Sequence, residues 1–213
     1  MQAVKDLYYG LLVACIVTLF LRIRQLPSYC KWLLLLLLTS LGTQVIQQAL
    51  SVPGVHAYFV FHIYQPIEFI LLCIFYYEIF DKRLYKRITW VLGSLYILSC
   101  LVYYFFRPQS FNKGDFTDFT LESVMVCGLV VLYFIQMLEI KEKIELKHFM
   151  KFWLNALHLV FYGGCLFTMG FYYYLTKTDS LLARQILNIN HFLNLLLYSG
   201  YLIVFACTKA ART

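Results

Sequence analysis

Apolar residues run along this chain in stretches that approach the ~20 residues needed to carry a helix across hydrocarbon, with short polar breaks between them. Water-soluble folds of this size instead alternate apolar and polar positions. Seven stretches can be set off, at residues 7–23, 32–50, 56–79, 89–106, 119–138, 152–174 and 185–207. They predict an all-α, polytopic membrane protein of seven transmembrane helices, a single domain over residues 1–213. The first stretch lacks a basic leading region and a small-residue cleavage site, so it is expected to be retained as a helix.

Composition agrees: 62% of the 213 residues are apolar and 14% are charged, which excludes an ordinary soluble domain. The net charge of +7 would suit an anionic partner, but its distribution points to topology. Thirteen Lys and Arg fall in one set of alternate loops and five in the other. By the positive-inside rule the N-terminus lies outside and the C-terminus in the cytoplasm, as for a multi-pass protein of the inner membrane. Spread over every inner loop, this charge forms no basic stripe for nucleic acid. Tyrosine pairs such as Tyr8-Tyr9, Tyr76-Tyr77 and Tyr103-Tyr104 fall near span ends, where a ring with a polar tip is at home. The seven cysteines form no CxxC pair and read as packing residues. Residues 139–147 alternate charged and apolar positions; they read as a solvated helix extension, or functionally as a contact for a cytoplasmic partner.

The outer loops are short, so an external ligand would have to be met within the bundle. Polar residues inside the spans say where. The third stretch carries His62, Gln65 and Glu68, and the seventh carries Asn188, His191 and Asn194, with the same spacing at similar depth. Gln44 and Gln47 add to the outer half of the second, and Glu122 sits near the outer mouth of the fifth. A charged side chain facing lipid at a helix centre costs about 3 kcal/mol even on the mildest scale. These groups should therefore converge on a polar chamber, open outward, between helices two, three, five and seven. Pro66 removes the hydrogen bond to the His62 carbonyl and is expected to act as a hinge there. Glu68 is the central acid, with His191, and less directly His62, as its partner. A Glu–His pair across helices suits a proton-linked switch. Asn155 and His158 lie nearer the inner face and read as interhelical glue, and Gly163-Gly164 as a close helix contact.

No cofactor is expected. There is no HExxH, and His62 and Glu68 are ~9 Å apart along one helix axis. A metal ion would need ligands from different helices, for example His62 or Glu68 with His191. Seven helices invite comparison with rhodopsins and G-protein-coupled receptors, but residues 185–207 contain no lysine for a retinal Schiff base. The parallel trios suggest a three-plus-one-plus-three repeat, similar in topology to SWEET sugar transporters, which carry prolines in several helices where this chain has one. The run Phe61-His62-Ile63-Tyr64-Gln65-Pro66-Ile67-Glu68-Phe69 resembles the third helix of small bacterial seven-helix membrane proteins. That resemblance covers one helix and implies no particular activity.

The leading expectation is a non-enzymatic membrane module. It binds a small ligand or a proton in the chamber and relays its state to a cytoplasmic or membrane protein partner. A small solute transporter using the same chamber is the alternative. An intramembrane enzyme or a purely structural assembly subunit stands behind it.

Overall fold

The computed structural model describes residues 2–50, 57–108, 116–139, 149–178 and 180–207. They form α1 (Gln2–Arg22), α2 (Cys30–Leu50), α3 (Tyr58–Ile79), α4 (Arg83–Phe106), α5 (Thr117–Leu138), α6 (Met150–Thr178) and α7 (Ser180–Cys207). The fold is all-α. Six of these helices are long and apolar enough to cross a membrane, over Cys30–Leu50, Tyr58–Ile79, Arg83–Phe106, Thr117–Leu138, Met150–Tyr172 and Asn188–Cys207. α1, with 21 residues, is not among the six.

Helix ends differ from the apolar runs in ways that have local causes. α6 and α7 extend beyond 152–174 and 185–207, because the intervening residues include Leu, Ala, Lys and Arg and neither Gly nor Pro. α5 starts early enough to take in Asp118, whose carboxylate suits the positive end of the helix dipole. α3 continues through Pro66 as one helix. The alternating segment at 139–147 lies outside the described residues apart from Glu139.

Packing arranges six helices in a closed ring, in the order α1, α2, α3, α5, α6, α7 and back to α1. α4 stands outside that ring, against the α3–α5 seam. The two triplets α1–α2–α3 and α5–α6–α7 thus follow one another with α4 as connector. α1 and α7 run parallel: Tyr8 packs on Tyr198 with ring centroids 5.4 Å apart, and Arg22 donates to the carbonyls of Phe205 and Ala206. At the α6–α7 seam, Gly164 and Gly200 leave room for Leu193 and Leu157. A Cβ on Gly200 would run into a Leu157 methyl. The outer surface of the bundle is apolar all round, with Phe20, Ile46, Leu98, Phe167 and Ile203 exposed. Such a surface suits hydrocarbon and not water.

One end of the bundle is fastened by polar contacts. Ser28 and Trp32 donate to Glu78 at 2.8 and 2.7 Å. Gln136 exchanges hydrogen bonds with Asp81, accepting from its N–H at 3.0 Å and donating to its carboxylate at 3.1 Å. Lys82 pairs with Glu139, whose carboxylate holds the ammonium above its ordinary range. These contacts tie the ends of α2, α3 and α5 together.

Candidate functional site

A cavity of about 330 Å³ lies inside the ring. Every ring helix lines it, and α4 contributes nothing to it. The lining follows true helical faces. α2 presents Leu36, Ser40, Thr43, Gln44 and Gln47; α3 presents Phe61, Tyr64, Gln65 and Glu68; α7 presents Asn190, His191, Asn194, Leu197, Tyr198 and Tyr201. α1 adds Tyr8 and Tyr9, and α6 adds Phe161, Tyr162 and Met169. Phe116, just ahead of α5, and Phe119 on it complete the wall.

Glu68 is the one carboxyl among these lining residues, and 8% of it is exposed. The Tyr162 hydroxyl donates to its Oε1 at 2.8 Å, and Tyr64, one turn earlier on α3, also hydrogen-bonds to it. Ser40 and Tyr198 approach to 3.5 Å at the same level. Beneath, a second node joins three helices. His158 of α6, fully buried, shares Nδ1 with the Tyr76 hydroxyl at 3.0 Å and Nε2 with the Tyr201 hydroxyl. Either neutral tautomer of the imidazole satisfies both hydroxyls, with the order of protons reversed. Tyr201 belongs to both sites: it lines the cavity and bonds His158.

A third cluster sits across α3, α4 and α5. His62 Nδ1 lies 2.8 Å from Asp118 Oδ2 and 2.7 Å from the Tyr104 hydroxyl, which also donates to that carboxylate oxygen. The Phe119 N–H donates to Asp118 Oδ1 at 3.0 Å. Gln65, with its amide turned so that nitrogen faces the acid, also donates to Oδ1 at 3.0 Å. Gln65 therefore touches this cluster from the cavity side.

Of the residues singled out in the sequence, Glu68, Gln65, His191, Asn194, Gln44 and Gln47 come together around the cavity. The others fall elsewhere. His62 turns to Asp118 rather than toward Glu68. The reason is helical geometry: each step of three residues turns the side chain back by about 60°, so the ends of a trio diverge by about 120°. One end reaches α4 and α5, and the other reaches α6. Asn188 is half-buried and outside the lining. Glu122, expected in the chamber, is not among the lining residues. It is fully buried, away from the cavity wall, with Tyr96 beside it, and neither oxygen makes a hydrogen bond of normal geometry among the described residues. The hydroxyl donor on Glu68 is a tyrosine, and the chamber involves α1 and α6 as well as α2, α3, α5 and α7.

Sequence reasoning passed over Asp118, Asn190 and the inward tyrosines. A usable signal existed for most of them. Asn190, Asn194, Tyr198 and Tyr201 recur at helical spacing on α7, as Phe61, Tyr64, Gln65 and Glu68 do on α3. Among the described residues, no three His, Cys, Asp or Glu side chains converge in a set that could hold a metal ion. Among the described residues this is an all-α protein with six membrane-length helices, in which six of the seven described helices enclose a tyrosine-rich cavity with one acid in its lining. No family model, curated protein or solved structure matches the chain.

Proposed function

We propose that this chain is a seven-span inner-membrane module. It binds a small ligand or a proton in the central cavity and relays occupancy to its cytoplasmic end, where a partner protein reads it. Crossing by α1 is supported by its parallel packing along α7 from Tyr8 to Arg22. The excess of Lys and Arg on alternate loops supports an outside N-terminus and a chamber that opens outward.

One observation carries the relay: Tyr201 lines the cavity and is hydrogen-bonded to His158, which also holds Tyr76. A ligand that moves Tyr201 or the Glu68–Tyr162 pair acts on α3, α6 and α7 below the cavity without any separate linker. Pro66, in the same helix as Glu68 and Tyr76, removes one backbone hydrogen bond between cavity and outer cluster and gives α3 a place to bend. A ligand shifts such an equilibrium only by its differential affinity for the two arrangements. The contacts on Glu68 and Tyr201 are where that difference arises.

A transporter is the second reading, favoured by the repeated order of the two triplets around a central cavity. Thiol accessibility separates the two, in a chain carrying Cys127→Ser and Cys207→Ser, with intact cells presenting the outer face and inside-out vesicles the cytoplasmic face. With Gln47→Cys, a membrane-impermeant thiol reagent added outside is expected to label the cavity. With Phe205→Cys, below the node, no labelling is expected from either side. Labelling of Phe205→Cys from the cytoplasm would make the protein a transporter, and a Gln47→Cys inert from outside would remove the outward chamber altogether.

A further inference from the structure

The chemistry of the cavity wall specifies a ligand class, on the reading that the cavity is a binding site. Six tyrosine and four phenylalanine side chains surround one carboxyl, and no Lys or Arg is among the described lining residues. The rest of the polar wall comes from the side-chain amides of Gln44, Gln47, Gln65, Asn190 and Asn194, the hydroxyls of Ser40 and Thr43, and the imidazole of His191. We propose that the cavity takes a small organic cation, an ammonium group carrying one to four alkyl substituents, seated between the Glu68 carboxyl and the tyrosine rings.

Three alternatives fit less well. An anion would meet the Glu68 carboxyl and no fixed positive charge. A neutral polyol could use the amides, yet it would bring no positive charge to the Glu68 carboxyl or to the aromatic ring faces. A hard metal cation needs roughly six to eight converging oxygens. Ten of the twenty-two lining residues are tyrosine or phenylalanine, and among the described residues no metal-holding cluster of acids, histidines and cysteines forms. An organic ammonium uses what is present. Its charge meets the carboxyl, its alkyl groups meet the negative faces of aromatic rings, and its polar tail meets the amides. A cavity of about 330 Å³ is at the lower end of the range for small-molecule sites, which suits a compact ligand.

The test uses the purified full chain in lipid nanodiscs, titrated calorimetrically with choline. The controls are 3,3-dimethyl-1-butanol (the uncharged carbon analogue of choline), sodium chloride and sodium acetate. Saturable choline binding is expected, at least about tenfold tighter than the neutral analogue. Glu68→Gln should weaken choline about tenfold or more while leaving the analogue unchanged. Tyr8→Leu should weaken choline severalfold, and Tyr8→Phe, which keeps the ring, should not; this arm stands even if Glu68→Gln fails to fold. Equal binding of choline and its neutral analogue, or acetate binding in place of choline, would overturn the cationic ligand while leaving a binding cavity. Absence of saturable choline binding would likewise overturn it, and the thiol-accessibility result for the cavity would still stand on its own.

Discussion

At the scale of single residues, two buried acids on α5 make opposite bargains. Asp118 accepts from His62, Tyr104, Gln65 and its neighbour's N–H, whereas Glu122, four residues on, makes no hydrogen bond of normal geometry among the described residues. Removing an acid from a satisfied buried network strands its partners, at a cost of about 3–5 kcal/mol. Removing an unsatisfied one relieves a desolvation cost of about 1–3 kcal/mol. Asp118→Ala is therefore expected to lower the melting temperature markedly, and Glu122→Met to leave it unchanged or raise it, both read by thermal unfolding in detergent. A Glu122→Met variant as unstable as Asp118→Ala would mean that Glu122 has a partner of its own. Glu68, Gln65 and His191 were visible in the sequence because polar atoms in an apolar run need a polar destination. Asp118 was hidden because the apolar run begins just after it, so it read as a loop residue.

At the scale of helices, the seam between α6 and α7 depends on two positions without side chains. A Cβ at Gly200 would overlap Leu157, and one at Gly164 would stand 2.7 Å from Leu193, whereas one at Gly163 meets nothing within 4 Å. Gly200→Val should therefore destabilise the bundle by about 1–3 kcal/mol through overpacking. Gly163→Ala should be neutral or slightly stabilising, since alanine favours the helix. Thermal melts of the two variants check this, and equal losses would refute the assigned seam. The sequence singled out the Gly163-Gly164 pair, but which glycine faces α7 depends on the rotation of α6, which is set by tertiary packing. Tyrosines were the harder case. Tyr77 is exposed near a helix end as an interfacial ring should be, while its neighbour Tyr76 is fully buried against His158. An amphipathic ring serves either role, and only the facing helix decides which.

At the scale of the whole molecule, element existence was legible and arrangement was not. Apolar length marked out the helices, with the described α2 and α5 starting two residues before the runs that predicted them. The ring order joins α1 to α7 and α3 to α5, pairs remote or non-consecutive in sequence, so nothing local encodes them. That closure is what makes a cavity, brings Tyr76 of α3 against His158 of α6, and leaves α4 outside. The relay requires that the cavity and the Tyr76–His158–Tyr201 node move together. Electron–electron distance measurement tests it directly, with spin labels at the exposed positions Tyr77 on α3 and Trp153 on α6, in a chain carrying Cys127→Ser and Cys207→Ser. Saturating choline is predicted to shift the label-to-label distance by about 2 Å, the scale of a packed helix adjusting against its neighbours. Glu68→Gln should abolish the shift. Choline that binds with calorimetric saturation and leaves that distance unchanged would contradict the relay.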